Sequence, residues 1–267
     1  MSITKPLGDA DVDFLCDLFT RGWENHHVGA VALYRAIADP DSFFDPDAPD
    51  NLRMRVEPGT LQRILRTKIV AEYVALLEVL GVLCITIRNR RRRSMRWSYL
   101  NTQPRDVTAF YHEIRDRVEK KQEITPATVL ELPNLHELER VVTPQPEGIP
   151  AKFLEGVTYL YANFENVITT ATELYTGNEA LSVRAYNKIK HVFPMIYGYG
   201  CDGKLWLNDE LPPGGAAILI DHEGTVVRLS LTQQEADGEL ASIQILTDFG
   251  SSLINCCIVL HQLGHLF

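Results

Sequence analysis

Cysteine is scarce in this sequence, and the positions of its cysteines exclude the common cysteine-based sites. Five occur among 267 residues, an odd number, and none has the CxxC spacing of zinc or redox centres. The amino-terminal residues also lack the apolar core that a secretory signal requires. These absences predict a cytoplasmic protein whose thiols are reduced.

Patterns that bind metals are incomplete as well. The acidic segment from Asp39 to Pro58 lacks the central glycine and the terminal glutamate of a calcium loop at the required positions. His261 and His265 have the spacing of a zinc peptidase, but Gln262 stands where that chemistry needs a glutamate. We therefore expect neither a metal nor a cofactor.

Apolar periodicity predicts a mainly α fold. Helical spacing extends from about residue 60 to 93, from 104 to 121, from 153 to 175 and through the last thirty or so residues. The apolar stretch from Ile69 to Ile87 is long enough to cross a bilayer, but it contains Glu72 and Glu78, which favours a buried core helix and no membrane partner.

Two short β-branched runs precede the last helix. They are separated by His222, Glu223 and Gly224, a hairpin signal that predicts a small β-hairpin at about 216–231. The fold class expected is an antiparallel helical bundle with this hairpin before a long C-terminal helix. Five prolines between 122 and 150 predict a linker at 122–149, which separates an N-terminal helical region, 1–121, from a second helical region, 150–267.

Charge is distributed unevenly. The formal net charge of -9 argues against a surface that binds nucleic acid or anionic lipid everywhere. One run, from Arg88 to Trp97, nevertheless contains six arginines. Cations are favoured near a helix carboxyl end, so a solvated terminus is one interpretation. The other is a phosphate-binding patch beside Trp97 and Tyr99. Its candidate binding residues are Arg90, Arg91, Arg92, Arg93 and Arg96.

A stripe of polar residues is predicted on one face of a helix that ends before Pro194. Arg184 and His191 lie seven residues apart, with Asn187 and Lys188 between them on the same face. A histidine titrates near neutrality, and an arginine supplies a permanent forked donor, so the stripe suits metal-independent acid–base chemistry on a phosphate. Lys190 lies beside the stripe and could assist.

The order of Arg184 and His191, together with the run from Tyr186 to His191, resembles the HEPN superfamily of helical proteins. In its ribonuclease members an arginine and a histidine are separated by a few residues. The resemblance spans at most residues 150–267 and implies an endoribonuclease-like protein, with His191 as general acid and base and Arg184 as phosphate stabiliser. It also implies a homodimer, because one helix separates the two side chains while a twofold axis brings two copies into one cleft.

A non-catalytic interpretation stands beside the enzymatic one. Ala185 occupies a position that is commonly polar in catalytic HEPN members, and six residues separate Arg184 from His191. The same stripe would then form salt bridges or bind nucleic acid or a protein partner. A third interpretation is a scaffold whose arginine run binds an acidic partner.

Overall fold

The computed structural model describes residues 9–18, 23–39, 58–142, 149–177, 216–222, 225–231 and 233–264, together with the single positions 41, 47 and 49. Within these residues the protein is mainly helical, which confirms the predicted fold class at that level. The described helices are α1 (Asp9–Asp17), α2 (Asn25–Ala38), α3 (Pro58–Asn89), α4 (Met95–Asn101), α5 (Pro104–Glu119), α6 (Pro126–Leu130), α7 (Leu135–Val142), α8 (Ala151–Thr176) and α9 (Gln233–Gln262).

The longest periodic segments became helices where the sequence predicts them. Helices α3, α5, α8 and α9 correspond to the four predicted apolar periodicities, and Gly177 caps the carboxyl end of α8. The short helices were harder to predict. Helices α4 and α6 were not predicted. Their apolar residues are too few for a period to emerge.

Two strands lie between α8 and α9 in the sequence. Strands β1 (Ala216–His222) and β2 (Thr225–Leu231) pair antiparallel, with Ala216 opposite Leu231 and His222 opposite Thr225. Their β-branched residues suit an extended backbone.

The chain divides into two compact units, each assembled from segments that are distant in the sequence. One contains residues 1–25, 76–178 and 245–267, and the other residues 26–75 and 179–244. The predicted boundaries at 121 and 150 stay a prediction. Within 122–149, helices α6 and α7 bury Val129, Leu130 and Leu138.

The first unit packs its helices closely at two glycines. A Cβ at Gly81 of α3 would lie 2.7 Å from Val107 Cγ1 of α5, and the neighbouring Tyr111 hydroxyl donates to the Leu77 carbonyl at 2.7 Å. At Gly250 of α9, a Cβ would lie 1.8 Å from Trp23 Cζ2. Trp23 is buried, and its indole N–H donates to the Thr247 carbonyl at 2.8 Å.

The second unit has polar contacts between its helices. His26 Nδ1 of α2 lies 2.8 Å from Glu72 Oε2 of α3, and the Tyr34 hydroxyl donates to Asp237 of α9 at 2.7 Å. Tyr73 is buried, and burial raises the pKa of its phenol.

The expected cytoplasmic localisation is contradicted by two helices. Segments Ile64–Asn89 and Asp237–Gln262 are long and apolar enough to cross a membrane, with mean hydropathies of 2.1 and 1.6. In each, 67% of the most apolar stretch is buried within the protein, as in the core helix of a soluble protein. The length and composition of these helices therefore do not assign the protein to a compartment. The prediction of a cytoplasmic protein was wrong.

Alanine substitution at two helical glycines tests the close approach of Trp23. Gly250→Ala should lower the free energy of unfolding by about 1–3 kcal/mol, because the added methyl overlaps the indole. Gly238→Ala in the same helix is the control: a Cβ there meets no other atom within 4 Å, so the better helix former should raise stability by about 0.5–1 kcal/mol. Both are measured by urea unfolding. Equal stability of the two variants would contradict the packing described.

Candidate functional site

The predicted catalytic pair lies outside the described residues. Arg184 and His191, with Asn187, Lys188 and Lys190, belong to the stretch between Gly177 and Ala216 of which nothing is described. Their roles and shared face stay predictions. The arginine run, in contrast, is described in full, and the candidate site is built from it.

The arginine run covers the end of one helix and the start of the next. Helix α3 ends at Asn89, whose carbonyl accepts from the N–H groups of Arg92 at 2.8 Å and Arg93 at 3.1 Å. Ser94 then caps α4, because its side chain accepts from the Trp97 N–H. This tight turn sends neighbouring arginines in different directions, so the run is not one continuous basic surface.

Arg90 is the buried member of the run. It is 3% exposed, and its guanidinium donates to the carbonyls of Ile87 at 2.9 Å, Leu130 at 2.7 Å and Glu131. These oxygens end helices α3 and α6, where the helix dipole favours a cation. Burial lowers the pKa of Arg90. The sequence predicts a phosphate contact here, whereas the described donors are committed to main-chain carbonyls.

Arg92 and Arg93 lie at a groove between the end of α3, helix α4 and the start of α5. This Trp97 groove has a volume of about 370 Å³, and its lining includes Arg88, Asn89, Trp97, Asn101 and Glu113. Arg92 and Arg93 are exposed. Among the residues that the structure describes, neither forms an ion pair with a carboxylate.

The two carboxylates of the Trp97 groove already have partners. Glu113 accepts from Arg88 at 2.7 Å through one oxygen and from Arg117 at 3.3 Å through the other. Asp106 accepts from the Gln103 N–H at 2.9 Å in a capping box at the start of α5. These bonds give both acids partners other than Arg92 and Arg93, so the two arginines remain available to an outside anion.

Trp97 is unusually exposed for its size. The residue is 50% exposed, and the Arg93 guanidinium lies 4.8 Å from its ring centroid. Leu100, three residues later on the same helix, is 68% exposed. Tyr99, the other candidate for stacking, packs edge-on against Phe14 with ring centroids 5.3 Å apart. The described aromatic surface beside the arginines is therefore the indole.

Arg91 and Arg96 are separate from the Trp97 groove. Arg91 lines a cavity of about 550 Å³ with Arg140, Glu131 and Glu137, so its charge has acidic neighbours. The main-chain N–H of Arg96 donates to Asp11 at 3.3 Å while its side chain is exposed. Of the five predicted arginines, the structure brings Arg92 and Arg93 together at one groove.

The groove contains residues that the sequence prediction missed. Arg88, Asn89, Asn101 and Thr102 line it, although none was among the candidate binding residues. A usable signal was present: Ser94 is a typical N-cap, and a cap there implies that the chain turns after Arg93. The turn brings the end of α3 beside α4.

Thiol and metal chemistry have little support in the described part of the chain. Cys84, Cys256 and Cys257 are buried, and burial raises the pKa of Cys84 and of Cys257 to about 12, which disfavours the reactive thiolate. No group of three histidine, cysteine, aspartate or glutamate side chains suited to a metal occurs among the residues described.

Comparison with protein-family models, with curated proteins and with solved structures found no match to this chain.

Substitutions at two neighbouring arginines test whether Arg90 stabilises the fold and Arg91 does not. Arg90→Met should lower the free energy of unfolding by about 2–4 kcal/mol, because buried carbonyls lose charged donors. Arg91→Met, on the exposed side of the same turn, should change it by less than about 0.5 kcal/mol. Urea unfolding measures both. If the two substitutions cost the same, Arg90 does not hold α3 and α6 together.

Proposed function

We propose that this protein is a helical nucleic-acid-binding module that holds RNA phosphates at the Trp97 groove. One observation carries the proposal: Arg92 and Arg93 are adjacent, exposed and without a carboxylate partner in the described part of the chain. A guanidinium fork matches the oxygens of a phosphate, and the release of counterions from nucleic acid favours binding.

The charge of the whole protein agrees with local rather than general binding. With a formal net charge of -9, most of the surface repels a polyanion. Binding would then concentrate where the cations are not neutralised. At the Trp97 groove both acids are hydrogen-bonded to their own neighbours, whereas the cavity at Arg91 is lined by two glutamates.

Removal of two charges at the groove should weaken RNA binding and its salt dependence together. For Arg92→Gln/Arg93→Gln we expect the slope of log K against log salt to fall in magnitude by about 1.4, since each phosphate contact with a single strand contributes roughly 0.7. Fluorescence anisotropy with a labelled RNA at several salt concentrations measures this.

The matched control removes two charges elsewhere. Lys120→Gln/Lys121→Gln changes the net charge equally at the exposed carboxyl end of α5, about 20 Å along that helix from Asp106. It should leave most of the slope intact. An equal loss in both double variants would mean that net charge, and not the groove, governs binding.

A second proposal comes from the sequence and concerns RNA cleavage. The order of Arg184 and His191 supports a metal-independent endoribonuclease of the HEPN type, in which His191 transfers protons and Arg184 stabilises the charge on phosphorus. Asn187, Lys188 and Lys190 would hold the strand. We propose with it the finer architecture: an antiparallel bundle that carries the β1–β2 hairpin and forms a homodimer through the predicted helix of Arg184 and His191.

Cleavage is tested by substitution at the histidine. In the presence of a chelator the protein should cut RNA and leave cyclic phosphate ends, because a 2′-hydroxyl is the nucleophile in this chemistry. His191→Ala should lower the rate at least about a hundredfold, the usual contribution of a positioned acid–base group. Gel analysis of end-labelled RNA measures the rate. Cleavage by His191→Ala at the original rate would refute the assignment, while RNA binding by that variant should persist.

A further inference from the structure

Trp97 is not one of the buried residues of α4. The buried side chains of α4 are Met95 and Ser98, which are 0% and 4% exposed, whereas Trp97 remains half exposed. A large indole on a surface helix, beside two exposed guanidinium groups, is costly to hydrate and offers a flat apolar face to a ligand.

We infer that the Trp97 groove is a base-binding subsite, and that the partner is therefore single-stranded rather than duplex nucleic acid. The inference depends on the proposed binding of phosphates by Arg92 and Arg93. It identifies a base of the nucleic acid as the group that Trp97 contacts. A base stacks on the indole while the arginines hold the neighbouring phosphates.

The size of the groove suits one nucleotide. Its volume of about 370 Å³ lies near the lower end of small-molecule pockets, roughly 300–1,000 Å³. A single base with its sugar fits such a space, and a helical duplex does not. In a duplex the base faces are covered by their neighbours, so a stacking site selects strands whose bases are free.

Polar groups suited to the edge of a base line the same groove. Asn101 uses its amide nitrogen to donate to the Trp97 carbonyl at 2.8 Å, which leaves its amide oxygen as an acceptor. Asn89 also lines the groove, and its carboxamide forms no hydrogen bond with the residues that the structure describes. An acidic peptide would engage the arginines but has no use for the indole face or the carboxamides.

Paired variants and paired ligands test the stacking contact. Trp97→Leu keeps an apolar side chain and removes the aromatic face, while Trp97→Phe keeps a ring. The probes are labelled oligouridylate, the same sugar–phosphate chain without bases, and an RNA duplex of equal length. Anisotropy gives each affinity, and circular dichroism with thermal unfolding checks the fold of each variant.

Stacking predicts a specific pattern of affinities. Trp97→Leu should weaken oligouridylate binding roughly tenfold, and Trp97→Phe by much less. The sugar–phosphate probe without bases and the RNA duplex offer no free base. Both should therefore bind the two Trp97 variants as tightly as they bind the unsubstituted protein. The salt slope for oligouridylate should not change, because no charge is removed.

Different experimental results would refute this inference and the proposed function. If Trp97→Leu binds oligouridylate as tightly as the unsubstituted protein, with the salt slope intact, the base subsite is refuted while phosphate binding stands. If no RNA binds at low salt, both are refuted. Displacement of oligouridylate by polyglutamate at equal charge concentration, with no effect of Trp97→Leu, would point to an acidic protein partner and also refute the subsite.

Discussion

The geometry of the candidate site depends on the buried guanidinium of Arg90. Its donors bond to carbonyls at the ends of α3 and α6, where a helix has no further turn of its own to supply N–H partners. One of these carbonyls belongs to Glu131, which adopts a left-handed conformation with φ of 55°. The chain turns beside Arg90, where the Asn89 carbonyl accepts from the N–H groups of Arg92 and Arg93, and that turn places both arginines at the Trp97 groove.

Ser94 completes the turn that Arg90 begins. Its side chain caps α4 and also donates to Asp11 at 2.7 Å, which ties α4 to α1. Helix α5 supplies the opposite wall of the groove, where Glu113 bonds to Arg88 and Arg117. The contacts that build the groove are thus polar contacts within one unit, and they occupy its acids while two of its cations stay available.

Phosphate binding and RNA cleavage are distinct proposals with different foundations. Binding is argued from described contacts of Arg92, Arg93 and Trp97. Cleavage is argued from the order of Arg184 and His191 in the sequence and from the HEPN resemblance, and these residues lie outside the described part of the chain. A protein that binds without cutting would satisfy the first proposal and refute the second.

The sequence by itself determined that the protein is mainly helical and where its longest helices lie, because apolar side chains at a helical period can be buried only in that conformation. It also determined that cationic charge is concentrated between Arg88 and Arg96. It could not distinguish Arg90 from Arg92, since identical side chains in one short run carry no information about which of them meets a carbonyl. Tertiary structure decided that, because burial and hydrogen-bond partners come from segments such as α6 that are distant in the chain.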